Sequence, residues 1–143
     1  MTRRSPEAWP EPFLRAKERL DALTQANGLR FATLEHYPES SGHAFAEYAG
    51  RGQRLRLVWE GRERALWVES AREVAAQVVS RWVDVEWSVA GTRLPLNRDT
   101  SDDRIDQLAE AVELFLLRLG SSRRVDSLPR SGVDPVLGGA SPK

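Results

Sequence analysis

The chain has 143 residues, room for one domain with a core that needs no covalent staples, and its 41% hydrophobic and 29% charged content excludes a disordered polymer. It has no cysteine, which excludes disulfides, thiolate metal sites and a cysteine nucleophile. The 21 basic and 21 acidic residues cancel, so the overall positive field that drives non-specific nucleic-acid binding is missing.

Residues 1–10 are polar and proline-containing and read as a flexible lead-in to a single domain over 11–120. Met1 to Glu7 place no apolar run behind Arg3 and Arg4, as a signal peptide would, and no window is apolar enough to span a bilayer. A soluble, cytoplasmic protein without membrane contact is the expectation. From Pro12, the recurrence of Phe13, Leu14, Ala16, Leu20 and Leu23 predicts a helix that stops at Asn27-Gly28.

A strand-rich stretch follows. Leu29–Tyr37 and His43–Ala49 read as two strands around the turn residues at 38–42. Gln53–Glu60 and Glu63–Ser70 read as a hairpin closed by Gly61-Arg62 in a two-residue type II′ turn. That turn sets Glu60 opposite Glu63, Val58 opposite Ala65, Leu57 opposite Leu66, Arg56 opposite Trp67 and Arg54 opposite Glu69. Leu55, Leu57, Leu66 and Val68 then share the buried face, while Arg54, Arg56, Val58, Trp67 and Glu69 share the other.

Ser70 with Glu73 three residues later has the form of a capping box, and Val74, Ala75, Val78, Val79 and Trp82 follow at helical spacing. A short middle helix is therefore expected over 71–81, with a strand as the competing reading because the valines are β-branched. Val83, Val85, Trp87 and Val89 alternate with polar residues and predict a further strand, after which Arg93–Leu96 pairs back only at an edge because of Pro95. Thr100 and Asp103 form a second capping box, opening a helix with Ile105, Leu108, Val112, Phe115, Leu116 and Leu119 on its apolar stripe and Gly120 as its stop. The Ser-, Arg-, Pro- and Gly-rich residues 121–143 read as a disordered tail.

The resulting fold class is α+β: a mainly antiparallel sheet of four to six strands, with the N-terminal, middle and C-terminal helices packed on one face. In the order helix, strands, helix, strands, helix it resembles type III secretion chaperone-like domains. That resemblance is of topology and rests on no motif, and this chain is neutral where those chaperones are acidic.

No constellation of catalytic residues stands out, and neither an enzyme nor a cofactor is expected. Asp99, Asp102, Asp103 and Asp106 lie at a helix start, where carboxylates cap free N–H groups, and their spacing is not that of a calcium loop. His36 and His43 flank the first hairpin turn with Glu35 and Glu39 nearby, which admits a metal or enzyme site if a third ligand converges. Of the five tryptophans, Trp87 is expected on the core face, Trp59 capping its end, Trp9 as a lid and Trp82 at a junction, whereas Trp67 is expected on the wet face beside Arg56. Such a pair is either a cross-strand cation–π contact or an anchor for a partner, since Trp and Arg are enriched in interface hot spots. The leading reading is thus a non-enzymatic protein-binding module (an adaptor, an immunity-type protein or a chaperone-like partner) using Trp67, Arg56, Val58, Arg54 and Glu69 to hold another protein or a second copy. The alternative is a nucleic-acid-binding module built on the arginine-rich hairpin of Arg54, Arg56, Arg62 and Arg64.

Overall fold

The computed structural model describes residues 9–39, 42–76 and 78–126, the last six as backbone only. Helix α1 spans Glu11–Ala26 and buries Phe13, Ala16, Leu20 and Thr24. The chain leaves it through Asn27 and Gly28, where φ is +87° and a side chain would be strained. Strands β1 (Arg30–Tyr37), β2 (His43–Gly50), β3 (Gln53–Glu60) and β4 (Ala65–Ala75) form the antiparallel meander, in the spatial order of the sequence. Gly50 is required at the end of β2 by close approach, since a Cβ there would lie 2.4 Å from the carbonyl oxygen of Gly28.

The β3–β4 hairpin differs from expectation in its turn. Glu60 pairs with Ala65 across four residues, Gly61 to Arg64, rather than with Glu63 across two. The Glu60 carboxylate accepts the Glu63 N–H at 2.7 Å, and Arg64 takes the left-handed conformation at φ +55°, which together close the longer loop. Arg56 therefore faces Glu69, and Trp67 faces Val58. The slip is of two residues, an even number, so every side chain stays on its expected face. Leu55, Leu57, Leu66 and Val68 are all buried in the core.

Two corrections fall between residues 70 and 90. The expected middle helix over 71–81 is absent: β4 runs on to Ala75, then β5 (Val78–Val79) and β6 (Val83–Asp84) fold back on it. The backbone N–H of Ser80 donates to the Arg72 carbonyl at 2.8 Å, and the Ser80 hydroxyl accepts from Arg72 N–H at 2.9 Å. Strand pairing thus takes the backbone groups the helix would have used, in the conformation that the valines favour. Of the expected strand over 83–89 only Val83–Asp84 is strand, as β6; from Val85 the chain is helix α2 (Val85–Ala90), capped by Asp84, whose carboxylate accepts the Trp87 N–H at 3.1 Å. Val85 and Val89 are four apart and share the inner face of this helix, leaving Trp87, two residues round, to point away. Arg93–Leu96 forms no strand and is exposed.

Helix α3 (Asp102–Asp126) begins one residue later than the expected box implies, with Ser101 rather than Thr100 as its cap: the Ser101 hydroxyl accepts the Arg104 N–H at 3.3 Å. It continues through Gly120 to Asp126, and residues 127–143 of the expected tail lie outside the described residues, as do 1–8 of the lead-in. Three of the four aspartates at its start are taken up by neighbours. Asp99 accepts from the Ser101 backbone and hydroxyl, which holds its carboxyl below the usual range, and Asp102 and Asp106 pair with Arg15 and Arg19 of α1. One core unites the helices and one face of the sheet, with Tyr48, Leu55, Leu57, Leu66 and Val68 meeting Phe13, Leu20, Leu108, Val112 and Leu116. The fold is α+β with a six-stranded antiparallel sheet, as expected from the sequence. No helix among the described residues is long and apolar enough to cross a membrane.

Candidate functional site

The surface expected to hold a partner forms a closed lattice of charge. Arg54 donates to Glu73 at 2.8 Å and lies 3.5 Å from Glu47, while Arg56 donates to Glu47 at 3.2 Å and lies 3.6 Å from Glu69. The Arg56 guanidinium also sits over the rings of Trp82, at 3.9 Å from the ring centre, and Phe45, at 5.2 Å. Val58, expected as an apolar spot open to a partner, is only 6% exposed. Ion pairing thus holds both arginines, and stacking adds to the hold on Arg56. Trp67 stays half-buried, with its indole N–H donating to Glu69 at 3.0 Å.

His36 and His43 do not come together. Tyr37, not His36, is the residue opposite His43, so the two imidazoles lie on opposite faces of the sheet. His36 tilts against Trp9 with ring centres 4.5 Å apart, and His43 lies 3.3 Å from Glu60. The described residues contain no group of three His, Asp or Glu placed to hold a metal.

Concavity is found beside β4, where a cleft of about 810 Å³ opens. One wall is β4 itself, with Trp67 and Glu69; a second is the stretch bearing Trp82, Asp84, Glu86 and Trp87; a third is the irregular segment from Arg93 to Arg98; and Arg104 and Gln107 of α3 close the rear. Over Ala65–Val68 the strand pairs only with β3 among the described strands, because β6 reaches no further than Glu69 and Ser70. The Leu66 carbonyl on that edge is held by Arg104, at 2.9 Å.

Arg104 frames the rear of the cleft. It is 3% exposed, meets both carboxylate oxygens of Glu86 at 2.6 and 2.8 Å, and joins α3 to α2 and β4 through these bonds. Asp84 has a different environment. It caps α2 but has no basic partner among the described residues, and burial pushes its carboxyl pKa up, with Glu86 and Glu69 adding to the rise against the opposing backbone N–H bonds. The third wall is held lightly: Arg98 pairs with Glu63, Arg93 lies over the Trp87 ring at 5.0 Å, and Leu94 and Leu96 are 36% and 49% exposed.

Three of the five tryptophans therefore line one cleft, and only Trp67 was singled out from sequence. Trp87 was expected in the core because its alternation with Val85 and Val89 reads equally as a strand. The signal that locates it is Asp84, an N-cap residue three before Trp87, followed by Gly91 in the left-handed conformation that ends the helix. Trp82 enters because β5 and β6 fold the chain back along β4. Family models, curated proteins and solved structures were all compared with this chain, and none matches.

Proposed function

We propose that this chain is a binding module for a segment of a partner protein, and that the segment enters the cleft beside β4. The observation that carries the proposal is the convergence of Trp67, Trp82 and Trp87, each half-buried, on one concavity at the edge of the sheet. Tryptophan is enriched among the residues that carry the binding energy of protein interfaces, in concave, desolvated sites above all. The edge of β4 and the segment Arg93–Arg98 border the cleft, an arrangement that suits a peptide laid along the strand edge, and the apolar surface of Leu94, Pro95 and Leu96 adds to that of the rings. This reading keeps the functional class expected from the sequence and moves its centre from the charge lattice of Arg54 and Arg56 to the cleft, with Trp67 common to both.

A library of displayed linear peptides, selected on the immobilised protein, tests it. Enriched peptides are expected to lose about tenfold or more in affinity on Trp67→Ala and on Trp87→Ala, variants checked for folding by circular dichroism. A selection that enriches nothing, or peptides whose binding ignores both substitutions, overturns the proposal.

A further inference from the structure

Charge is divided across the cleft. The three carboxylates, Glu69, Asp84 and Glu86, belong to the walls formed by β4, β6 and α2, whereas Arg93 and Arg98 stand on the opposite segment. Arg104 is consumed by Glu86 and the Leu66 carbonyl, and Glu69 by Arg56 and the Trp67 indole. That leaves Asp84 as the carboxylate without a cation among the described residues. The neighbouring rings show what they accept: Trp82 carries the guanidinium of Arg56 and Trp87 that of Arg93. Arg93 does so from an exposed stretch that has no secondary structure.

We infer that the group recognised in the cleft is a side-chain cation, the arginine or lysine of a partner segment, which sits beside Asp84 and takes the Trp87 ring from Arg93. The inference rests on the cleft being the binding site. In this arrangement Arg93 is an internal placeholder. It keeps the ring covered while the cleft is empty and competes with the incoming cation. Trp67 supplies the second ring and Asp84 the counter-charge. An aromatic wall next to an unpaired carboxylate favours a cation twice over, through the ring quadrupole and through Coulomb attraction in a partly desolvated site.

The test is a titration of the ¹⁵N-labelled full chain with three blocked pentapeptides, Ala-Arg-Ala-Arg-Ala and its glutamine and glutamate counterparts, following the indole N–H signals. The arginine peptide is expected to shift the signals of Trp67, Trp82 and Trp87 saturably and to bind more tightly than the other two. Asp84→Asn, which keeps an oxygen to cap α2, is expected to weaken that binding by about three- to fivefold, and Arg93→Ala to strengthen it by a similar factor. Arg93 is exposed, so its replacement leaves folding out of the result. Tighter binding of the glutamate peptide, lost on Arg93→Ala, overturns the inference in favour of an anionic group. Cleft binding by the glutamine peptide as tight as by the arginine peptide overturns it while leaving the binding-module reading in place. If no selected or synthetic peptide shifts the three cleft tryptophans, both fall together.

Discussion

Replacing Arg104 by methionine keeps an unbranched, largely apolar stem and removes the guanidinium with its charge. The wild-type guanidinium is almost wholly buried and makes two bonds to Glu86 and one to the Leu66 carbonyl. The Glu86 side chain is 18% exposed, so in the variant a largely desolvated carboxylate loses its counter-ion. Breaking a buried pair from one side costs about 3–5 kcal/mol, because the remaining charge stays in place without compensation. Against a total stability of about 5–15 kcal/mol, that is roughly a fifth of the fold or more. At about 2–4 °C per kcal/mol for a chain of this size, the melting temperature should drop by roughly 6–20 °C. Urea unfolding followed by circular dichroism measures the loss. The double variant Arg104→Met/Glu86→Gln removes the orphaned charge and should recover at least half of it, the remainder reflecting the Leu66 carbonyl. A loss below about 1 kcal/mol in the single variant, or a double variant no more stable than the single, would refute the assignment of Arg104 as the buried tie between α3, α2 and β4.

Gly50→Ala places a methyl group against the Gly28 carbonyl, 2.4 Å away, and should cost about 2 kcal/mol or more in thermal unfolding even though the side chain added is the smallest available. Tyr48→Phe removes the hydroxyl that donates to Asp21 at 2.7 Å, while Lys17 continues to pair with that carboxylate at 2.8 Å; a loss of about 1–1.5 kcal/mol is expected in urea. Asp84→Asn should stabilise the free protein at neutral pH. The folded state raises the pKa of this carboxyl, so it binds the proton more tightly folded than unfolded, and its contribution to stability falls as pH rises from the ordinary aspartate value through the raised one. The gain from asparagine should therefore be present at pH 7 and vanish below the ordinary aspartate pKa, which melts at pH 3 and pH 7 compare directly.

Much of the fold was legible because burial imposes a period. The alternation of Leu55, Leu57, Leu66 and Val68 placed the core face of the β3–β4 hairpin correctly although the turn is two residues longer than Gly61-Arg62 suggested. The turn itself was decided by the Glu60 side chain and by a left-handed Arg64, neither of which leaves a strong mark in sequence. Between 70 and 90 the local signals conflicted. Ser70 and Glu73 have the spacing of a helix cap, yet Ser70 is buried in the sheet between Leu55 and Val83 and its neighbours serve the ladder. Val85 and Val89 fit both a strand and a helix, and the Asp84 cap decided for the helix. The cleft was hidden for the same reason. It is assembled from β4, α2 and the segment 93–98, so it depends on the elements that periodicity leaves ambiguous, and of its three tryptophans only Trp67, on the hairpin, has a face that the strand alternation determines.

The central claim is that a partner segment binds among Trp67, Trp82 and Trp87. Its most direct test is the ¹H–¹⁵N spectrum of the full chain with and without a peptide from the selection. Saturable shifts are expected at those three indole N–H groups and at the backbone of Arg93–Arg98, with the indoles of Trp9 and Trp59 unmoved. Shifts confined to Trp9 and β1, or to the charge lattice around Arg54, would place the binding surface elsewhere and contradict it.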